Sequence, residues 1–185
     1  MTIRLERPQD AAAIDAILDR SFGTGRTRKT SYRLRDGVAP DDRLCFVNTT
    51  ADGAIAATLR FWPIVLGGEA VPALLLGPLA VEPSLQGQGY GKALMRHGLA
   101  KAKALGHRIV ILVGDPAYYE PFGFTRSATA ALAMPGPVEP HRFLGLALVP
   151  GALDGVSGTL GRATTPRKAA RKVAPAPLTL AFAEP

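Results

Sequence analysis

The chain has 185 residues, 47% hydrophobic and 20% charged, the balance of one ordinary globular domain, which excludes wholesale disorder and a highly charged fibrous design. Its 20 glycines and 16 prolines follow no period, so a collagen-like chain is excluded as well. The net charge of +7 is uneven: residues from 162 onward carry +4 and the first 161 only +3, so a mildly basic domain bears a basic tail.

Ile3 and Leu5 alternate with polar neighbours and predict a short opening strand. The charged start, Met-Thr-Ile-Arg-Leu-Glu-Arg, argues against a secretion signal, and the expected compartment is the cytoplasm. Pro8-Gln9-Asp10 opens a helix to about Phe22, with Ala13, Ile14, Ile17 and Leu18 on one face and Gly23-Thr24-Gly25 as its stop. Residues 26 to 37 are basic and polar and read as a short helix or loop. Leu44–Val47 is a strand, Asp52-Gly53 a hairpin turn, and Ala54–Val65 a long strand turned again at Leu66-Gly67-Gly68. The single cysteine, Cys45, lies in the first of these strands, where a small core residue is expected; one cysteine excludes a disulfide framework.

Val71–Val81 is nearly continuously apolar, as in a strand buried on both faces. Pro78 removes a ladder N–H inside it, which predicts a bulge or a break in pairing. After the turn Gln86–Gly91, a helix runs from Lys92 to Leu105, with Met95, Leu99 and Ala102 in one stripe and Gly106 as its stop. Arg108–Val113 is a further buried strand, joined to Val71–Val81 by a parallel crossover. Asp115-Pro116 offers an N-cap and a proline at the first helical position, but Pro121 limits that helix to one turn. Residues 142 to 149 form a late strand. Residues 1–161 form the expected folded domain, and 162–185 a Pro/Ala-rich basic tail ending in an edge strand at 178–182, which offers a contact for a homodimer. No run approaches about 18 apolar residues, so no spanning helix and no membrane partner are expected.

The turn Gln86-Gly87-Gln88-Gly89-Tyr90-Gly91 carries the chemistry. Glycines at alternate positions let a ligand approach main-chain N–H groups, and the helix from Lys92 adds unpaired N–H groups and a positive dipole end. Together they suit a phosphate or pyrophosphate. A P-loop is excluded because Ala93 stands where Gly91-Lys92 would need a serine or threonine. A dinucleotide fingerprint is weakened by the Gly-x-Gly-x-Gly spacing and by Glu82–Gln86 after the strand.

The run Leu79-Ala80-Val81-Glu82-Pro83-Ser84-Leu85 continuing through Gln86, Gly89 and Gly91 to Met95 resembles the central motif of the GNAT superfamily of acyl-CoA N-acyltransferases. Gly114-Asp115-Pro116-Ala117-Tyr118-Tyr119-Glu120-Pro121-Phe122-Gly123-Phe124 is similar to a second family segment, most closely in its YhbS-like branch, and Phe143–Leu153 resembles that branch more weakly. The resemblance covers about residues 2 to 160. It implies an α/β (α+β) fold with a mixed, mostly antiparallel central sheet flanked by helices on both faces, and acetyl-CoA as donor. It implies that the pantetheine arm pairs with Leu79, Ala80 and Val81, that the pyrophosphate lies on Gln86, Gly87, Gln88, Gly89, Tyr90, Gly91 and Lys92, and that the sheet opens beside Arg108–Val113. It also implies an oxyanion held by an N–H near Val81, and Tyr119, five residues before Phe124, beside the departing sulfur.

The expected reaction is N-acetylation of a primary amine by direct attack in a ternary complex, with no metal. The alternative is a non-catalytic acyl-CoA-binding module of the same fold. An ordinary alkyl amine is neutral in about one molecule in 2,500 at pH 7, so a base or a low-pKa acceptor is called for. Glu82, Asp41, Asp42 and Glu69 lie near strand ends, but a solvated surface role is expected for each. His97, His107 and His141 lack metal spacing. Phe61 and Trp62 are expected in the core. Aromatic content is 6%, and the basic stretch Arg26–Arg35 lacks the interleaved aromatics of a nucleic-acid platform, so nucleic acid is not the expected partner. The acceptor-choosing residues are expected in the loop region from about Phe22 to Asp42 and in the C-terminal third.

Overall fold

β1 (Thr2–Leu5) forms at the sheet edge with Ile3 half-buried and Leu5 exposed, and a single 3-10 turn at Pro8–Asp10 leads into α1 (Ala11–Phe22). The computed structural model describes residues 1–163. Asp10 anchors this entry: it accepts two bonds from Arg4 at 2.6 and 2.9 Å and one from the Arg7 N–H at 2.7 Å. Hydrogen bonding from Arg4 holds its carboxyl below the usual range, against the opposing effect of burial. Ile14, Ile17 and Leu18 of the predicted stripe are buried, whereas Ala13 is exposed. The basic stretch that follows forms a 3-10 turn (Thr24–Arg28) and one helical turn, α2 (Thr30–Arg33).

The strands come next: β2 (Phe46–Thr49), β3 (Ile55–Leu66) and β4 (Val71–Val81), then α3 (Tyr90–Ala104) and β5 (Ile109–Val113). After α4 (Pro116–Tyr119) come β6 (Leu132–Ala133), β7 (Phe143–Ala147) and β8 (Gly158–Arg162). Most boundaries shift by a residue or two from expectation, and two of the shifts have a visible local cause. Leu44 lies in a 3-10 turn capped by Asp41, so β2 starts at Phe46. Helix α3 starts at Tyr90, because Gly89 caps it. Strands β6 and β8 were not legible: β6 is two residues long, and β8 (Gly-Thr-Leu-Gly-Arg) buries only Leu160. The tail expected from 162 lies outside the described residues beyond 163, including the strand at 178–182; Arg162 itself ends β8.

The sheet order is β1-β2-β3-β4-β5-β7, with β8 on the far end of β3 and β6 alongside β8. Along the main path every pairing is antiparallel except β4–β5, so the sheet is mixed and mostly antiparallel. Successive side chains point to opposite faces. Phe46, Leu59 and Phe61 pack with Leu94, Met95 and Ala102 of α3 on one face. Val47 and Ala80 pack with Ile14, Ile17 and Leu18 of α1 on the other, so helices cover both. Each fully buried side chain such as Leu94 or Met95 contributes about 1.5–3 kcal/mol. No helix among the described residues is long and apolar enough to cross a membrane.

The break predicted at Pro78 is present and has a large consequence. Leu59 pairs with Leu79 but Phe61 with Leu76, so Gly77 and Pro78 both oppose Arg60. This bulge reverses the phase of β4. Before it, Leu74 and Leu76 face α3; after it, Leu79 and Val81 do, and Ala80 faces α1. Bulges bend a strand away from its neighbour. Accordingly β4 pairs with β5 only at Leu74 with Val110 and Leu75 with Ile111, and the two strands part beyond.

Candidate active site

The parting of β4 from β5 opens a groove of about 660 Å³. Leu79, Ala80 and Val81 form one wall, and Gly114, Asp115, Tyr118 and Tyr119 the other; the turn and the start of α3 close its end. Glu82 N–H bonds to Ala56 C=O at 2.8 Å, so in an antiparallel ladder Ala80 also bonds toward β3. The N–H and C=O groups of Leu79 and Val81 therefore face the groove. The Val81 carbonyl is reached by Ser21 Oγ at 3.3 Å and Gln86 Nε2 at 3.5 Å.

At the groove's end the chain bares its amides. Among the described residues, none of the six N–H groups from Gly87 to Lys92 donates to a protein acceptor; the next, Ala93 N–H, bonds to Gly89 C=O at 2.9 Å. Gly89 holds φ +89°, in the left-handed region that lets the turn feed straight into α3. Gly91 is needed for another reason: a Cβ there would lie 2.7 Å from the Tyr118 hydroxyl and 3.1 Å from Val81 Cγ2. Buried Asn48 of β2 fixes this first turn by donating to the Tyr90 carbonyl at 3.3 Å. All the predicted turn residues are brought to the groove except Gln88, whose amide turns back to the Ser84 carbonyl at 3.5 Å.

Asp115 caps α4 by accepting from Ala117 N–H at 3.1 Å, and Pro121 starts a 3-10 turn at Glu120–Phe122, so the helix is one turn long as expected. That turn sets the two tyrosines edge to face, ring centroids 4.9 Å apart. Tyr118 aims its hydroxyl at the start of α3. Tyr119 lies against Gly114 and edge-on to Phe124 at 6.0 Å. Burial raises the pKa of both phenols, and the neighbouring Tyr118 adds to the rise at Tyr119. Among the described residues neither hydroxyl makes a hydrogen bond within the protein.

Tyr119 also lines a second, smaller cavity of about 120 Å³, together with Leu79, Pro78, Tyr32 and Arg35. This junction leads to a third cavity, about 490 Å³, walled by Arg26, Arg33, Arg35, Arg60 and Trp62. Tyr119 and Leu79 thus border both the groove and the junction, and Arg35 and Tyr32 border both the junction and the arginine cavity. Phe61 is fully buried as expected, whereas Trp62 lines the arginine cavity.

The carboxylates weighed from the sequence do not face the junction. Glu82 is forked by Arg20 at 2.7 to 3.2 Å. Asp41 is bound by Arg43, which lowers its pKa, and sits beside His107 past the far end of α3, about 22 Å from the bared amides. Glu69 is in the β3–β4 turn. His97 is exposed and packs edge-on against Phe46, and His141 is exposed beside Glu139. Burial pushes the Cys45 thiol up to about 12, so it is inert as a nucleophile at neutral pH. Asn48 and Ser21 went unnoticed in the sequence, each being a single polar residue without a motif, whereas Arg35 reads there only as one member of the basic stretch Arg26–Arg35.

The acetyltransferase (GNAT) domain family matches residues 2–127. The uncharacterised N-acetyltransferase YhbS of Escherichia coli K12 is 36% identical over 159 residues, which cover 85% of this chain and 93% of that protein. The crystal structure of E. coli YhbS in complex with CoA matches with a TM-score of 0.75 at 34% identity, covering 87% of this chain and 88% of that one. A GNAT family acetyltransferase from Brucella melitensis in complex with acetyl-CoA matches with a TM-score of 0.65 at 29% identity, covering 88% and 96%.

Proposed function

The chain belongs to the GNAT acetyltransferase family, and from that premise we propose that it transfers the acetyl group of acetyl-CoA to a primary amine by direct attack in a ternary complex. The observation that carries this reading is the row of unengaged amides from Gly87 to Lys92 at the end of a groove that the β4 bulge opens. Aligned N–H groups at a helix start hold a diphosphate, and Lys92 adds charge at the edge. From there the pantetheine arm runs along Leu79, Ala80 and Val81, pairing with the main-chain groups that β3 leaves unused. This sets the thioester near Val81, whose N–H meets the oxyanion.

The attacking amine enters from the junction cavity. Its nitrogen forms the C–N bond, the tetrahedral intermediate collapses, the C–S bond breaks with the electron pair leaving on sulfur, and the proton shed by the nitrogen passes through solvent to that sulfur, giving free CoA thiol. Tyr119 lines both spaces and faces that sulfur. Burial keeps its phenol protonated above the ordinary value of about 10. It therefore serves as a hydrogen-bond donor to the developing thiolate.

Among the described residues no carboxylate lines the junction, but Arg26, Lys29 and Arg35 do. Nearby cations disfavour an ammonium. The field of the cavity thus replaces a dedicated base in favouring the neutral amine.

The experiment is thiol release from acetyl-CoA over a panel of primary amines, with mass spectrometry of the protein after acetyl-CoA alone. The reading expects amine-dependent CoA release and an unmodified protein. Release without amine, accompanied by an acetylated side chain, would replace direct attack with an acyl-enzyme.

A further inference from the structure

Arg35 is an anomaly by the ordinary rules for charged residues. It is 9% exposed, yet among the described residues its side chain has no carboxylate partner, and its Nε is buried without a hydrogen-bond acceptor. Its arginine neighbours are engaged: Arg26 by Asp15 and Asp19 at 3.0 and 2.8 Å, Arg60 by Glu6 at 2.7 and 2.5 Å, and Arg33 by the Pro135 carbonyl at 3.2 Å. The Arg35 guanidinium is held instead by ring faces, 4.6 Å from Tyr32 and 5.7 Å from Trp62. One of its terminal nitrogens lies against the bulge at Gly77. The indole N–H of Trp62 is also buried without an acceptor. Two buried donors without acceptors, one of them charged, thus belong to side chains that both line the arginine cavity. An unpaired buried cation is destabilising unless an anion completes it. Its pKa is drawn down to about 10, burial being the main cause, as fits a cation with no carboxylate beside it.

Position gives this charge a task. Arg35 lines both the arginine cavity and the junction cavity, and Tyr119 lines the junction from the other side. A molecule whose amine reaches the thioester beside Tyr119 through the junction cavity of about 120 Å³ has Arg35 on the same cavity wall. We propose that the acceptor amine carries an anionic group, a carboxylate or a phosphate, and that Arg35 receives it in a forked, charge-assisted pair. This rests on the acetyl transfer proposed above and names the substrate class of the same site. Arg35 then selects the acceptor, and the bulge that opens the donor groove also seats the residue that reads the acceptor.

The test has a binding arm and a turnover arm. CoA-loaded protein is titrated calorimetrically with N-acetylglycine, N-acetyl-O-phosphoethanolamine and neutral N-ethylacetamide, which mimic products and need no chemistry to bind. Thiol release is measured in parallel with glycine, O-phosphoethanolamine and ethylamine. The proposal expects an acidic ligand to bind, and its amine to react in kcat/KM, at least tenfold better than the neutral one. The carboxylate and phosphate arms tell the two anions apart. Arg35→Met should collapse the acidic preference mainly through KM, Arg35→Lys should restore part of it, and CoA affinity reports that each variant is folded. Equal or better binding of N-ethylacetamide by the unmodified protein overturns the proposal whatever the variants do. So does an acidic preference that survives in folded Arg35→Met. Acidic acetamides that bind while no amine is turned over would uphold the acceptor site and defeat the catalytic reading instead.

Discussion

In the donor groove the ligand-facing groups are main-chain amides from one stretch, Leu79 to Lys92, whereas around Arg35 they are side chains from α2 and its flanks, β3 and the segment after β5. The two spaces share Tyr119 and Leu79 and are set apart by one bulge. Main-chain donors depend on conformation, so the groove needs glycine at a few places and tolerates much else. Side-chain donors depend on identity and burial, so the acceptor end can change its ligand without changing the fold. The difference predicts that damage to the turn abolishes donor binding regardless of acceptor, and that damage near Arg35 alters acceptor choice while leaving the donor in place.

The largest expected effect is at the turn. Gly89→Glu forces a side chain onto φ +89° and sets a carboxylate in the proposed diphosphate site. Calorimetry should show acetyl-CoA affinity reduced about 10³-fold, some 4 kcal/mol. Undiminished affinity would break the comparison at its root.

Tyr119→Phe removes the hydroxyl where the two regions meet. It should lower kcat about 10²-fold, with acetyl-CoA affinity nearly unchanged. If affinity falls and kcat holds, the residue belongs to the donor wall alone.

The pH profile sharpens the same point. Burial raises the Tyr119 pKa, so its donor proton is retained below and through the ordinary tyrosine value and is lost only above the raised one. kcat/KM for an alkyl amine should keep climbing to about pH 10 as the acceptor deprotonates, with no descending limb below that. A descending limb at pH 8 to 9 that disappears in Tyr119→Phe would contradict this assignment.

The smallest effect is expected at Asn48, which touches neither ligand. Asn48→Ala removes the bond to the Tyr90 carbonyl and should reduce stability by about 1–2 kcal/mol in denaturant unfolding. Acetyl-CoA affinity should drop only a few-fold, and acidic and neutral acceptors should suffer alike.

Legibility in the sequence followed the same divide. The alternate glycines, the helix stripe and the Asp115-Pro116 cap are local signals, and each produced the expected element. Pro78 announced a bulge because a missing N–H is a local fact. That this bulge reverses the phase of β4 and parts it from β5 depends on a strand more than thirty residues away, so periodicity alone did not reveal it. Arg35 was hidden for a related reason. In the run Arg26–Arg35 it reads as one more surface cation, and only the packing of Tyr32, Trp62 and Gly77 around it shows that it is buried. Strands β6 and β8 escaped because a two-residue bridge and a glycine-flanked leucine carry no alternation.

The central claim is that the amides from Gly87 to Lys92 hold the cofactor's diphosphate. It is tested most directly by amide-resolved NMR of the ¹⁵N-labelled protein titrated with CoA and, separately, with pantetheine, which lacks the diphosphate. CoA should shift the resonances of Gly87 to Lys92 together with those of Leu79 and Val81, and pantetheine should shift only the latter pair. If CoA binds while the amides of Gly87 to Lys92 stay in place, the diphosphate lies elsewhere and the site has been assigned to the wrong turn.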